Sequence, residues 1–316
     1  MTLFGFYNIN KPAGPTSHDI VTRVRRRLRE ETALKIKVGH TGTLDPFASG
    51  VLVVAAGPAT RLADYVQAAP KRYTAEVTLG ATSTTDDVEG DITPVTAAAP
   101  PTRKQVHGAL MQFTGTIMQR PPAYSAVHID GRRAYKLARN GRAVDVPARA
   151  VTIHALELLR YEYPAAELDV LCGSGTYIRS LARDLGEALG VGGYCSALVR
   201  AAVGEFTIDR AAAVEELELT GDLISPLASL ADLAALAVPQ ELLTPLTQGK
   251  MLDVARLTRL DATPRRPSLP VLQAFGEASA DRSREVALLD EAGRLLAIGE
   301  LRADGQAVHP RKVFVQ

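Results

Sequence analysis

No uninterrupted apolar stretch in the chain exceeds six residues, and one of that length, 51–56 (Val-Leu-Val-Val-Ala-Ala), constrains the fold more than any other segment. Six residues fall far short of the ~20 that a helix needs to cross a bilayer. A short run of this kind, rich in β-branched residues and entered straight from a glycine-rich loop, reads as a buried strand. The 316 residues lie just past the ~250–300 at which single cores stop growing, so one large domain and a smaller one are expected. A composition of 46% hydrophobic and 22% charged residues excludes collagen-like, disordered and disulfide-scaffold chains. Cys172 and Cys195 show no CxxC spacing and suit a reducing compartment. No basic segment leads into a long apolar run near the N-terminus, so a soluble, cytoplasmic protein is expected.

Helix and strand signals alternate around the apolar run. Ser17 is placed to N-cap a helix through about Glu31, with Ile20, Val21, Val24 and Leu28 on one face and the arginines largely on the other. Residues 73–79 alternate apolar and polar, as do Leu168, Val170 and Cys172, so both read as half-buried strands. The second of these leads through a glycine loop into a helix over 177–189. Residues 105–113 and 134–140 read as helices, the latter closed by Gly141. Residues 93–102 form a Pro/Ala-rich connection, and residues 211–236 are acidic and helical in composition. Past Pro239 come short β segments at 285–289, 295–301 and 312–315, and a Pro/Ser/Ala-rich stretch at 261–284 reads as a flexible insertion. The fold class is α+β to about residue 237, followed by a small β-rich domain.

A net charge of +1 names no partner, but its distribution is uneven. Residues 1–40 and 120–149 each carry a net +5, whereas residues 209–245 carry −6. Two basic stretches on a near-neutral chain fit either a face for a polyanion or a solvated surface. Arginine outnumbers lysine 28 to 8; its planar fork suits phosphate and base edges, and a GC-rich genome would give the same bias.

Three segments carry chemistry. The first, Gly39-His40-Thr41-Gly42-Thr43-Leu44-Asp45-Pro46-Phe47-Ala48-Ser49-Gly50, leads into the apolar strand. Asp45-Pro46 fits a helix N-cap, but Gly50 and the β-branched run leave room for barely one turn, so Asp45 reads better as a displayed carboxylate. The second is Gly175-Thr176-Tyr177-Ile178-Arg179 at the start of a helix. With Thr176 as N-cap, Arg179 occupies the third helical position, where a cation opposes the helix dipole by roughly 0.3–1 kcal/mol. A nearby carboxylate or a bound phosphate would offset this; exposure, or pairing with Asp184, is the alternative. The third is Lys71-Arg72-Tyr73, a ring beside cations at a strand start, fit either for the core or for stacking on a base. No P-loop, GxSxG or HExxH occurs, and the six histidines lack metal-ligand spacing, so neither a metal nor an organic cofactor is expected.

Taken together, these segments resemble the TruB family of tRNA pseudouridine synthases over nearly the whole chain. Asn10-Lys11-Pro12-Ala13-Gly14-Pro15-Thr16-Ser17 is similar to the family's opening motif, and the three segments above to its aspartate, arginine and tyrosine motifs. Residues 120–149, with Tyr124-Ser125-Ala126 and Asp130-Gly131-Arg132-Arg133-Ala134-Tyr135, resemble its thumb insertion. Residues 297–300 and 309–314 resemble a PUA RNA-binding domain. One departure stands at Leu198-Val199-Arg200-Ala201, where the family has paired basic residues after the pocket leucine.

The resemblance implies a pseudouridine-synthase fold with a mixed, mainly antiparallel central sheet and flanking helices. A catalytic domain would span 1–237 and a PUA-like domain 238–316. It implies isomerisation of uridine 55 in the TΨC loop of tRNA, with tRNA folding as a possible added role. Asp45 would be the catalytic carboxylate and Arg179 the partner keeping it ionised. Tyr73 would stack on the flipped uracil, His40 would wedge into the vacated loop, Tyr177 and Leu198 would line the pocket, and Lys11 would support the active-site loop. The partner would be the T stem-loop of tRNA, engaged by a monomer with no membrane, guide RNA or obligate protein partner. The rivals are an RNA-binding or folding protein, a glycosidase lacking its usual second carboxylate, and a guide-dependent synthase, against which the thumb-like insertion argues.

Overall fold

In a computed structural model of the protein, the described residues are 3–96, 99–124, 128–129, 132–133, 146–260, 282 and 284–315. The elements run β1 (Gly5–Lys11), α1 (Ser17–Thr32), β2 (Val38–His40), β3 (Ser49–Ala56), α2 (Ala63–Ala68), β4 (Lys71–Leu79), β5 (Ala81–Ser83), β6 (Ile92–Pro94), α3 (Arg103–Leu110) and β7 (Gly115–Gln119). There follow β8 (His128–Ile129), β9 (Arg132–Arg133), β10 (Arg149–Glu162), β11 (Ala165–Cys172), α4 (Ile178–Ala188), β12 (Gly193–Val203) and β13 (Phe206–Thr207). The chain forms two compact units, one of Tyr7–Val54 and Val66–Asp222, the other of Met1–Phe6, Ala55–Tyr65 and Leu223–Gln316.

The apolar run lies within β3, where residues 50–56 are all buried. Strand β3 belongs to a nine-stranded sheet ordered β1-β3-β12-β4-β11-β10-β7, with β2 beside β3 and β13 beside β12. Its β3–β12 pairing is parallel, while β12–β4, β4–β11, β11–β10 and β10–β7 are antiparallel. The sheet is therefore mixed and mainly antiparallel, as expected for this α+β fold. The alternation at 73–79 places Tyr73, Ala75, Val77 and Leu79 on the buried face of β4.

Helix α1 buries Ile20, Val21, Val24 and Leu28, the face its periodicity marks. Its N-cap is Thr16 rather than Ser17, in a reciprocal capping box with Asp19. The Ser17 hydroxyl is used elsewhere: it donates to the Leu44 carbonyl and accepts from the Leu44 amide, both at 2.8 Å. The arginines of α1 lie largely on its exposed face, and three of them are engaged within the protein. Arg25 donates to the Val38 carbonyl, Arg27 donates to the carbonyls of Val214 and Leu217, and Arg23 pairs with Glu215 at 3.5 Å.

The helix expected over 211–236 does not form. The backbone there bonds to β1 instead, with Asn10 and Ala212 paired at 2.9 Å and Phe6 and Ile224 paired at 2.8 and 2.9 Å, and Pro226 precludes a continuous helix. What remains is two short 3-10 turns, Val214–Glu216 and Pro226–Ser229. The helix expected over 134–140 lies outside the described residues, as does the insertion expected over 261–284 apart from 282 and 284.

The second unit holds a six-stranded sheet of β14 (Ala234–Ala237), β15 (Leu252–Asp253), β16 (Thr258–Leu260), β17 (Glu285–Leu289), β18 (Leu295–Leu301) and β19 (Ala307–Val313), ordered β15-β19-β18-β17-β14-β16. Leu236, Leu246, Leu288 and Val308 sit in its core. Within this unit, Arg282 and Lys312 stack on the Tyr65 ring at 4.2 and 4.7 Å, and Arg61 stacks on Phe314 at 4.9 Å.

Helix α4 lies against the start of β12 through two glycines. A Cβ on Gly186 would sit 2.1 Å from the Gly193 nitrogen, a contact no side chain tolerates. Gly186→Ala is expected to destabilise the protein by at least about 3 kcal/mol through backbone displacement, read as a loss of ΔG in chemical denaturation. An unchanged midpoint would contradict this packing.

Candidate active site

The loop carrying Asp45 is fixed at several points. The Thr41 amide and hydroxyl both donate to the Val53 carbonyl, Ser17 clamps Leu44, and the Gly14 amide donates to the Pro46 carbonyl at 2.8 Å. Lys11 is fully buried beneath the loop and donates to the carbonyls of Pro12, Pro15 and Pro46. Burial pulls its ammonium pKa down to about 8, although Asp45 opposes the shift. It lies under the site rather than in it.

Helix α4 supplies the counter-charge. Its N-cap is Tyr177, one residue later than expected, so Arg179 is the second helical residue. Tyr177 has no side-chain cap of its own. Instead, Gln119 at the end of β7 brackets its backbone, accepting from the Tyr177 amide at 2.8 Å and donating to its carbonyl at 3.0 Å. The Arg179 guanidinium is buried between two carboxylates, with Nε 2.9 Å from Asp45 Oδ2 and Nη1 3.0 Å from Asp87 Oδ2. It also donates to the carbonyls of Thr85 and Tyr124, both at 3.1 Å. Two anions at the start of α4 offset the cation that the helix dipole disfavours there. Asp184 does not pair with Arg179; it holds Arg183, which also binds Asp86 at 2.9 Å.

Asp45, His40, Tyr73, Tyr177, Arg179 and Leu198 all line one cavity of about 550 Å³. Asp45 keeps 32% of its side chain exposed there, against 5% for Arg179. The carboxylate therefore faces the cavity and its partner lies behind it. Burial raises the Asp45 carboxyl above its ordinary value, and Arg179 opposes the rise without cancelling it. Arg179 thus acts in the expected direction, favouring the ionised form, while desolvation acts against it. Tyr73, also buried, has its phenol raised by the same cause. Among the described residues, no group of three His, Cys, Asp or Glu is placed to hold a metal ion.

Asp87 was not distinguishable in the sequence. It lies in an unremarkable Thr-Thr-Asp-Asp stretch, and only the sheet brings it 3.0 Å from Arg179. Arg200 was noted only as a departure from the paired pattern, yet it lines the cavity too. Of the two cations before Tyr73, Lys71 faces the cavity, while Arg72 turns away to pair with Asp169 at 2.8 Å.

Comparison with known proteins bears on this geometry. Residues 25–178 match the model of the TruB family pseudouridylate synthase N-terminal domain. A tRNA pseudouridine synthase B of Corynebacterium diphtheriae is 42% identical over 93% of this chain and 94% of its own length. The chain belongs to the TruB family. It is accordingly a pseudouridylate synthase, an isomerase. A protein of the same name from Moorella thermoacetica is 43% identical over 80% of this chain and 86% of its own. Among solved structures, a chain in the crystal structure of a Cbf5-Nop10-Gar1 complex superposes with a TM-score of 0.70, at 26% identity, covering 99% of this chain and 85% of that one.

Two outcomes follow for activity. With Asp45 in the role of reacting carboxylate, activity is expected to be lost as pH falls through its pKa. Because burial raises that pKa, the acidic limb is expected above the ~4 of an ordinary carboxylate. Asp87→Asn removes a like charge, so the limb should move to lower pH. It also loosens Arg179, and the turnover rate should drop at least about tenfold. A rate profile against pH for both proteins checks this, and coincident profiles of equal height would contradict it.

Proposed function

We propose that this synthase converts uridine 55 in the TΨC loop of tRNA to pseudouridine, as a cytoplasmic monomer without a guide RNA. The observation that carries the reading is one cavity-facing carboxylate, Asp45, held by a buried arginine with the Tyr73 ring lining the same cavity. The names of the curated relatives supply the tRNA.

The base must leave the helical stack to reach such a cavity, at a cost of a few kcal/mol in unstacking. His40 at the cavity wall is the group that would fill the space it vacates, and Tyr73 and Leu198 would hold the ring. The C1′–N1 bond then breaks. Asp45 acts either by attacking C1′ or by taking the C2′ proton in an elimination. The uracil turns within the cavity and C5 bonds to C1′, displacing the Asp45 oxygen in the first route or adding across the C1′–C2′ double bond, with the C2′ proton returned by Asp45, in the second. The C5 proton then leaves and N1 gains one. Atoms and electrons balance without an added reactant. Enclosing walls favour recapture of the detached base over its loss. Arg179 keeps the carboxylate ionised and aimed, because its own four contacts fix it in place.

The test uses an unmodified tRNA transcript and positional mapping of pseudouridine. One new pseudouridine at position 55 is expected with the protein and none with Asp45→Asn, while the variant's tRNA affinity stays within a few-fold. Equal loss of affinity would remove Asp45 from the catalytic role. Tight binding by the parent protein without isomerisation would favour a tRNA-folding protein.

A further inference from the structure

Arg200 is 3% exposed, yet no carboxylate lies within ion-pair distance of it among the described residues. Its guanidinium binds backbone instead: Nε donates to the Val51 carbonyl at 2.8 Å, Nη1 to Thr43 at 3.1 Å and Nη2 to Gly42 at 3.2 Å. These acceptors stand on both sides of Asp45, two before it and one after. The backbone of Arg200 meets the same loop. Strands β3 and β12 pair in parallel with Arg200 opposite Gly50. Gly50 has φ +102°, and a Cβ on it would lie 2.4 Å from the Arg200 carbonyl oxygen. Only glycine allows that approach.

The same residue adjoins Tyr73. Arg200 is registered opposite Tyr73 on β4, so both side chains project from one face of the sheet, and both line the one cavity. Val199 projects from the opposite face, opposite Thr74. A basic residue at 199 would point away from the cavity, which explains why the unpaired pattern leaves the site intact.

We infer that Arg200 is a positioning residue, a clamp that sets the Asp45 loop and the Tyr73 ring in one fixed relation. Its planar fork presents five N–H groups in set directions, enough to span the three carbonyls of the loop while its strand holds Tyr73 alongside. Lysine offers three donors from a single nitrogen and cannot bridge acceptors at both ends of a ten-residue loop. The inference rests on the pseudouridylation reading for its activity arm and is independent of it for the structural arm.

Arg200→Lys keeps the charge and removes the fork. At saturating tRNA its single-turnover rate is expected to fall about 30-fold or more, since displacement of a reacting group by ~1 Å costs on the order of 10²-fold. The Kd for tRNA should change less than about threefold, because the arginine's donors are engaged within the protein. Amide hydrogen exchange should quicken across residues 42–51 and stay unchanged in β1 and β11. Arg200→Gln, neutral with two amide donors, should show the same split with a deeper rate loss. A folded Arg200→Lys with the parent's rate, or a rate loss explained wholly by weaker tRNA binding, overturns the inference. Failure of both variants to fold also overturns it, since the arginine would then be scaffold. If the parent protein makes no pseudouridine, the functional reading fails instead, and the exchange pattern still decides the clamp.

Discussion

Burying an arginine without partners is prohibitively costly, and in this protein the geometry of the cavity is organised around meeting that requirement for Arg179. Its guanidinium takes one carboxylate from the loop before β3, another from the turn after β5, and carbonyls from Thr85 and Tyr124. Three chain segments distant in sequence are thereby held to one planar group. A planar fork with fixed donor directions imposes geometry on what it binds, so it serves as the reference point from which Asp45 is placed. Of its two carboxylate partners, Asp45 alone lines the cavity.

Two influences on Asp45 act in opposite directions. Desolvation raises its pKa, and Arg179 lowers it. A carboxylate stripped of water and held by one oriented cation is a stronger nucleophile or base than one in solvent, provided it stays ionised at the working pH. The second carboxylate, Asp87, divides the arginine's charge. The site therefore avoids the extreme in which a dedicated ion pair would leave Asp45 unreactive.

Much of this was legible beforehand, for identifiable reasons. The alternation at 73–79, the stripe of α1 and the apolar run at 51–56 depend on local periodicity, which survives without tertiary context. Asp45 stood out because glycine and threonine surrounded it, and Arg179 because it opposed a helix dipole. Asp87, Gln119 and the backbone role of Arg200 left no such mark, since each acts across strands remote in sequence. The acidic segment 211–236 misled for a related reason. Its composition favours a helix, but its backbone found partners along β1. The membership of residues 55–65 in the smaller unit depends on rings and cations that meet only in three dimensions.

The internal use of arginine changes how the chain's charge should be understood. Arg25, Arg27 and Arg200 donate to carbonyl oxygens that water would otherwise satisfy, and Arg179 and Arg183 are tied up among aspartates. A guanidinium fixed on carbonyls keeps its charge but loses the freedom to follow a phosphate chain. Arg25 and Arg27 are held in this way within the basic stretch at residues 1–40, so its tally of positive residues overstates how many can close on a polyanion. These arginines serve in part as internal solvent for the backbone.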